Sequence, residues 1–258
     1  MSEQRVIAGN WKMHQGPSAT RTFFREFAPD LGENPPRLII FPPALSLAAA
    51  VDARGGRPEV HLGVQNIHWE EKGAFTGELS VSMVLDAGAT YALVGHSERR
   101  HVFGETDGEV ALKVGACVAG GLTPVVCVGE TLDERRGGRL EEIIERQLEA
   151  ALGGLTARPG AHFLVAYEPV WAIGTGETAT PEDAAGAHAV LRRVLRNALE
   201  EDRAEVVPIL YGGSVQPGNA EELLSAADVD GVLVGGASLD AESFARIAES
   251  ARNTRESG

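Results

Sequence analysis

Eight short apolar runs recur along this chain at intervals of roughly 30 residues, the length of a β-strand plus the helix that follows it. They are Arg5–Gly9, Arg37–Phe41, Val60–Val64, Tyr91–Gly95, Pro124–Gly129, Phe163–Glu168, Val207–Gly212 and Gly231–Gly236. Val, Ile and Leu fill them without polar alternation, the pattern of parallel strands buried on both faces. Amphipathic segments lie between. Ser18–Leu31 gathers Phe23, Phe24 and Phe27 on one side, and Leu140–Leu152 repeats Leu and Ile at helical spacing among Glu and Arg. Pro181–Leu199 has Thr180 at the N-cap position and Pro181 at the first helical position, both favoured there. With no composition break or linker, this repetition predicts the α/β class and a (β/α)8 barrel, with 1–258 as one domain, over a doubly wound open sheet.

Composition narrows the partners. The chain has 258 residues, 43% of them hydrophobic, and a formal net charge of −14. Such an acidic chain is unsuited to nucleic acid or to an anionic membrane surface, and a small anionic substrate would need a local cationic or helix-terminal site. Two cysteines, Cys117 and Cys127, make no disulfide framework and suit a reducing compartment. No apolar run has the length of a signal peptide core or of a membrane span. A cytoplasmic protein is expected.

In a barrel of this kind, chemistry sits at the C-terminal ends of the strands. Asn10, Trp11 and Lys12 follow the first run, and His96 to Arg100 follow the fourth. The sixth run ends on Glu168. A lone Glu past a strand is more often a surface acid, but at the rim a carboxylate can serve as a general base once desolvated. His96 precedes Ser97 and Glu98, which read as the first turn of a helix; the partial positive charge there disfavours imidazolium. Most lysines are simply solvated, yet Lys12 is a rim-placed cation in an acidic chain. Gly212-Gly213-Ser214 and Gly235-Gly236 follow the seventh and eighth runs, where such barrels build phosphate sites from backbone N–H groups.

Several chemistries lack their residues. No nucleotide-binding glycine motif follows a strand, no H-E-x-x-H occurs, and the His residues have no metal-ligand spacing. Gly95-His96-Ser97-Glu98-Arg99 is not a nucleophile elbow. Cys127 in a strand is more often packing than nucleophile. One carboxylate, one neutral His, one Lys and a phosphate cradle together suggest proton transfer beside a carbonyl on a phosphorylated substrate.

The segments AGNWKM (Ala8–Met13), GAFTGE (Gly73–Glu78), GHSERR (Gly95–Arg100), CVGE (Cys127–Glu130), AYEPVWAIGTG (Ala166–Gly176), YGGSV (Tyr211–Val215) and VGGASL (Val234–Leu239) span nearly the whole chain. In that order they resemble the triosephosphate isomerase family. The resemblance implies a single-domain TIM barrel that interconverts dihydroxyacetone phosphate and D-glyceraldehyde 3-phosphate through an enediolate, in glycolysis and gluconeogenesis, without metal or cofactor. It implies Glu168 as the base that moves the proton, His96 as the group that polarises the carbonyl, and Lys12 as the charge beside the developing anion and the phosphate. Asn10 would bind substrate, Glu98 would support Lys12 and His96 rather than react, and Gly174, Ser214, Gly235 and Gly236 would hold phosphate. Pro169–Ala179 would be a mobile lid, with Pro169, Val170 and Trp171 as its stiff leading hinge. The loop His68–Gly77, with Phe75 and Thr76 at its tip, would make a homodimer by entering a neighbouring subunit near Asn10 and Lys12. This chain departs from the family at Glu177 in the trailing hinge, where Lys is usual, and at His14, where Asn is common. Alternatives are an isomerase acting on a tetrulose phosphate and a non-catalytic barrel; retention of Lys12, His96 and Glu168 together speaks against the latter.

Overall fold

The computed structural model describes residues 4–155, 158, 160–172 and 179–253. The eight runs form eight parallel strands: β1 (Val6–Asn10), β2 (Arg37–Phe41), β3 (Val60–Val64), β4 (Tyr91–Val94), β5 (Thr123–Val128), β6 (Leu164–Tyr167), β7 (Ile209–Tyr211) and β8 (Gly231–Val234). Each pairs with the next, and β8 returns to β1, closing a barrel. The open-sheet rival is thereby excluded. Helices α1 (Pro17–Glu26) and α2 (Leu47–Arg54) follow β1 and β2, and α3 (Val81–Asp86) follows β3. Two helices follow β4, α4 (Ser97–Val102) and α5 (Asp107–Gly120), and two follow β5, α6 (Leu132–Arg136) and α7 (Leu140–Gly154). The circuit ends with α8 (Pro181–Ala198), α9 (Glu201–Val206), α10 (Ala220–Leu224) and α11 (Ala241–Asn253).

Period-two geometry divides each strand between two cores. Val6, Ala8, Ile39, Phe41, Leu93, Val125, Cys127, Ala166, Leu210 and Leu233 fill the barrel interior. The alternate residues, such as Ile7, Leu38, Ile40, Val126, Val165 and Val232, face the helices in a second, larger cluster. Apart from Arg37, His61 and Thr123 near the starts of their strands, both faces of the strands are thus dry, which is why the sequence shows nearly continuous apolar runs.

Two boundaries differ from expectation. The first helix stops at Glu26 with Phe27 as its extended C-cap, not at Leu31. Pro29 disfavours a helical conformation at Ala28, so the segment leaves the helix early. The seventh strand forms over Ile209–Tyr211 rather than Val207–Gly212, because Pro208 has no N–H to give a ladder. Thr180 caps α8 as expected: its side chain accepts from the Asp183 N–H at 3.2 Å, and Asp183 reaches back to Thr180.

An aromatic cluster joins the ends of the chain. Trp11 meets Phe23 edge-on at 4.8 Å, and Phe27 stacks on Phe244 of α11 at 5.5 Å. Each fully buried ring contributes roughly 1.5–3 kcal/mol. Trp11 also donates from Nε1 to the Ser238 carbonyl at 2.9 Å, tying the loop after β1 to the loop after β8. No described helix is long and apolar enough to cross a membrane.

His188 of α8 is buried against Tyr167. One ring nitrogen, Nδ1, donates to the Asp228 carbonyl at 2.9 Å, while Nε2 has no partner among the described residues. Burial pushes its pKa down from 6.5 to about 4. The unfolded chain therefore binds a proton that the folded chain refuses between those values, and stability falls as pH drops through that window. From this group alone, lowering the pH from 6.5 to 5 should cost roughly 2 kcal/mol, measured by urea unfolding. His188→Asn, which keeps a donor for Asp228, should flatten the slope; an unchanged slope would remove His188 as its cause.

Candidate active site

The C-terminal rim of the barrel gathers four of the expected residues from three strand ends. Asn10 is the last residue of β1, His96 follows β4 by one glycine, and Glu168 directly follows β6. Lys12 lies two residues past β1. His96 Nε2 and Glu168 Oε1 are 2.9 Å apart, and Asn10 Nδ2 is 3.1 Å from the same ring nitrogen. Lys12 Nζ pairs with Glu98 Oε1 at 2.6 Å. His96 and Glu168 are buried, at 5% and 2% exposure, whereas the Lys12–Glu98 pair is partly open to solvent.

Local backbone geometry explains each placement. His96 is the N-cap of α4, and its Nδ1 accepts the Glu98 N–H at 3.2 Å. The next free amide of that turn, at Ser97, donates to Glu168 Oε2 at 2.9 Å. One helix start thus serves both the imidazole and the carboxylate. Lys12 has φ of 49°, a left-handed conformation strained for a residue with a Cβ. Its N–H donates to Asn10 Oδ1 at 3.0 Å and its carbonyl accepts from Gln65 Nε2 at 2.8 Å; these bonds hold the strained turn. Two glycines make room for Glu168. A Cβ at Gly129 would lie 1.8 Å from the Glu168 carbonyl oxygen, and one at Gly212 would lie 2.9 Å from its Cγ.

The electrostatics of the pair are coupled. Burial raises the Glu168 pKa, but His96 and the Ser97 N–H outweigh it and hold the carboxyl below its ordinary value. Burial lowers the His96 pKa, while the Glu168 carboxylate pulls it above the usual imidazole value. The expectation of a neutral ring rested on the helix start alone. That force is present as the Glu98 N–H on Nδ1, which leaves no lone pair there for a proton. With Nε2 facing a carboxylate, the neutral tautomer carrying its proton on Nε2 satisfies the Glu98 and Glu168 contacts, and the Asn10 amide N–H beside the same nitrogen is then left without an acceptor there. The opposing pull from Glu168 was not visible in the sequence.

On the far side of the rim, Ser214 and Gly235 are partly exposed and Gly236 is open to solvent. The N–H groups of Gly213, Ser214 and Gly235 have no acceptor among the described residues. Gly236 begins a short 3-10 turn over Gly236–Leu239. Gly235 lies against Lys12: a Cβ there would be 3.8 Å from Lys12 Cε. Uncommitted amides beside a lysine form an anion cradle. Gly174 and Glu177 lie outside the described residues, as does most of the lid.

A cavity of about 740 Å³ opens beside Asn10, Lys12, His96 and Glu98. Its walls run toward His14, Met13, Val102 and Phe103, away from Glu168 and Ser214. It opens along one flank of the site. Cys127 is inside the barrel, and burial raises its thiol pKa well above the ordinary value, so it packs and does not attack. Among the described residues no cluster of metal-ligating side chains occurs.

The triosephosphate isomerase family model matches residues 5–251. The chain belongs to the triosephosphate isomerase family. It is 48% identical over 243 residues to a triosephosphate isomerase of Solibacter usitatus, covering 94% of this chain and 97% of the relative. A triosephosphate isomerase of Rhodopirellula baltica is 46% identical over 252 residues, covering 97% and 99%. One of Moorella thermoacetica is 47% identical over 242 residues, covering 94% and 96%.

Around this family site stand groups to which the sequence reading assigned no role. Glu130 is fully buried and accepts from the Tyr167 hydroxyl, the Trp171 Nε1–H at 2.8 Å and Arg135 at 3.2 Å. The Arg135 guanidinium lies over the Trp171 ring at 4.7 Å. The leading hinge is a short 3-10 turn, Val170–Ala172, pinned by this carboxylate. The only advance sign was the acid ending CVGE at a strand end. Behind His96, Arg99 pairs with Glu105 at 2.6 Å, Glu105 with Lys113 at 3.1 Å, and Arg100 with Asp107 at 2.6 Å. Glu105 also accepts the Gly95 N–H at 3.2 Å, which fixes the turn that carries the imidazole.

Glu168→Gln should lower the His96 pKa, because it removes the nearest anion and leaves burial, the helix start and Lys12 acting downward against Glu98 alone. The imidazole proton signals in an NMR pH titration read this directly. An unmoved or raised pKa would show that Glu168 does not set the ring's charge.

Proposed function

We propose that this chain interconverts dihydroxyacetone phosphate and D-glyceraldehyde 3-phosphate by moving one proton through an enediolate, with Glu168 as the base. Membership of the triosephosphate isomerase family makes it an isomerase of triose phosphates. The observation that carries the residue roles is the contact of Glu168 with His96 at a rim that also offers unbonded amides and Lys12.

The steps follow from the groups present. A triose phosphate enters with its phosphate toward the amides of Ser214, Gly235 and Gly236, and Gly174 joins from the lid. Both Glu168 oxygens are occupied, one by Ser97 and one by His96. Substrate must therefore displace at least one of these contacts, which frees an anionic oxygen to take the proton from the carbon beside the carbonyl. Its protonated form returns that proton to the neighbouring carbon. His96 donates from Nε2 to the substrate oxygens, Asn10 holds the same region, and Lys12 offsets the developing negative charge. Glu98 positions Lys12 through its carboxylate and His96 through its N–H. Lid closure over the site excludes water and protects the enediolate from loss of phosphate.

Glu168→Gln should lower kcat by about 10²–10⁴-fold with a modest change in KM, measured in a coupled isomerase assay. Turnover near that of the parent would remove Glu168 from the role of base.

The homodimer is part of this reading. Met13, Val102 and Phe103 are largely exposed beside the 740 Å³ cavity, and Phe75 is 43% exposed at the tip of the 68–77 loop. Phe75 lies 4.2 Å from the His68 ring, so the loop presents a preformed apolar tip. A second copy's tip seated in the cavity would cover both surfaces. Phe75→Glu should convert a dimer to a monomer in sedimentation velocity; an unchanged sedimentation coefficient would place the interface elsewhere. The whole chain acts as one barrel domain. A cytoplasmic place in glycolysis and gluconeogenesis is supported by the family and by two buried cysteines that remain free thiols.

A further inference from the structure

The barrel has a second mouth, at the N-terminal ends of the strands. There the alternation that fills the interior with Ile39, Leu93 and Val125 also places Arg37, Tyr91 and Thr123 two residues earlier on the same face of their strands. His61, opposite Ile39 in the β2–β3 register, joins them. These side chains line a cavity of about 570 Å³, closed on one side by Phe163 and Arg203. That volume lies within the usual range for small-molecule sites.

The cavity is cationic in a chain that is not. The sequence has 37 acidic residues and a net charge of −14, yet no Asp or Glu lines this cavity among the described residues. Asp230, at the start of β8, is held by Arg192 at 2.7 Å and by the Ile209 N–H at 2.9 Å. Arg37 is half-buried, and its guanidinium makes no hydrogen bond or ion pair among the described residues. Arg203 gives one N–H to the Ala161 carbonyl at 2.8 Å and lies 5.9 Å from the Phe163 ring, which leaves further donors. His61 meets Tyr91 edge-on at 5.6 Å. Burial first, then the charges of Arg37 and Arg54, hold the His61 pKa below its ordinary value.

We propose that this cavity binds a small organic anion carrying phosphate or carboxylate groups, held between Arg37 and Arg203 with its carbon skeleton against Phe163, Leu164 and Pro208. Arginine forks match both kinds of anion in two-point geometry, and a concave, low-dielectric site concentrates their field. The site is at the opposite end of the barrel from Glu168, so its ligand does not compete with the triose phosphate. Its thermodynamic effect is stabilisation of the folded barrel by mass action.

The test uses His61 as a reporter in the full chain. Its ring signals are followed by NMR pH titration, with inorganic pyrophosphate in one arm and citrate in the other. Binding should raise the His61 pKa by about 0.5–1 unit as the anion's charge offsets that of Arg37. The response should saturate, disappear in Arg37→Gln, and leave basal isomerase activity unchanged in that variant. A response to pyrophosphate alone assigns a phosphate ligand, and a response to citrate alone a polycarboxylate. A His61 titration unmoved by either anion at any concentration would overturn the proposal. So would an equal shift in Arg37→Gln.

Discussion

A carboxylate sealed inside a protein must find fixed partners or give up its charge. Glu168 is 2% exposed and keeps its charge because one oxygen faces His96 and the other the Ser97 N–H. Both partners come from the same helix start. That start must then be held still, and much of the surrounding structure does this. Gly95 turns the chain with φ of 74°, Glu105 accepts its N–H, and Arg99 and Lys113 neutralise Glu105 in turn. Gly129 and Gly212 keep neighbouring strand ends clear of Glu168. In the proposed role of base, a buried carboxylate has few solvent contacts to lose, and this scaffold holds Glu168 ionised.

The fold was legible because most strand residues are dry on both faces, so each strand shows in the sequence as a short, nearly continuous apolar run. The barrel followed from eight such runs with nothing between them but helices. The rim residues were legible for a related reason: a polar group directly after a buried run has only one end of the barrel to occupy. What the sequence could not show were contacts between distant segments. Ser97 and Glu168 are far apart in the chain, so the pull of Glu168 on the His96 charge had no local sign. The anchoring of Trp171 by Glu130 is of the same kind. The left-handed turn at Lys12 was also hidden, because neither Gly nor Asn marks it. The early end of α1 is different, since Pro29 was in plain view and the aromatic periodicity outweighed it in the reading.

The two ends of the barrel use the same alternation for different purposes. At the C-terminal ends, it delivers polar groups beside the amides of Gly213, Ser214 and Gly235, which have no acceptor among the described residues. At the N-terminal ends, the inward positions hold Arg37, His61, Tyr91 and Thr123 instead of more aliphatic residues. The middle layers between them, Ala8, Ile39, Leu93 and Val125 among others, are apolar and tightly filled. They insulate one charged mouth from the other.

Closure also constrains how this chain is made. A strand in a barrel needs two neighbours, and β1 takes its second from β8, with Val6 opposite Gly231. During synthesis, β1 leaves the ribosome long before β8 exists, so one side of its backbone stays unpaired until β8 is made. Exposed strand edges invite pairing with other chains, and pairing distant segments is slow. The residues most open to mispairing in the nascent chain are therefore those just before Asn10 and Lys12. A strand made early is thus secured late, and the loop it carries cannot take its final shape until Trp11 finds the carbonyl of Ser238.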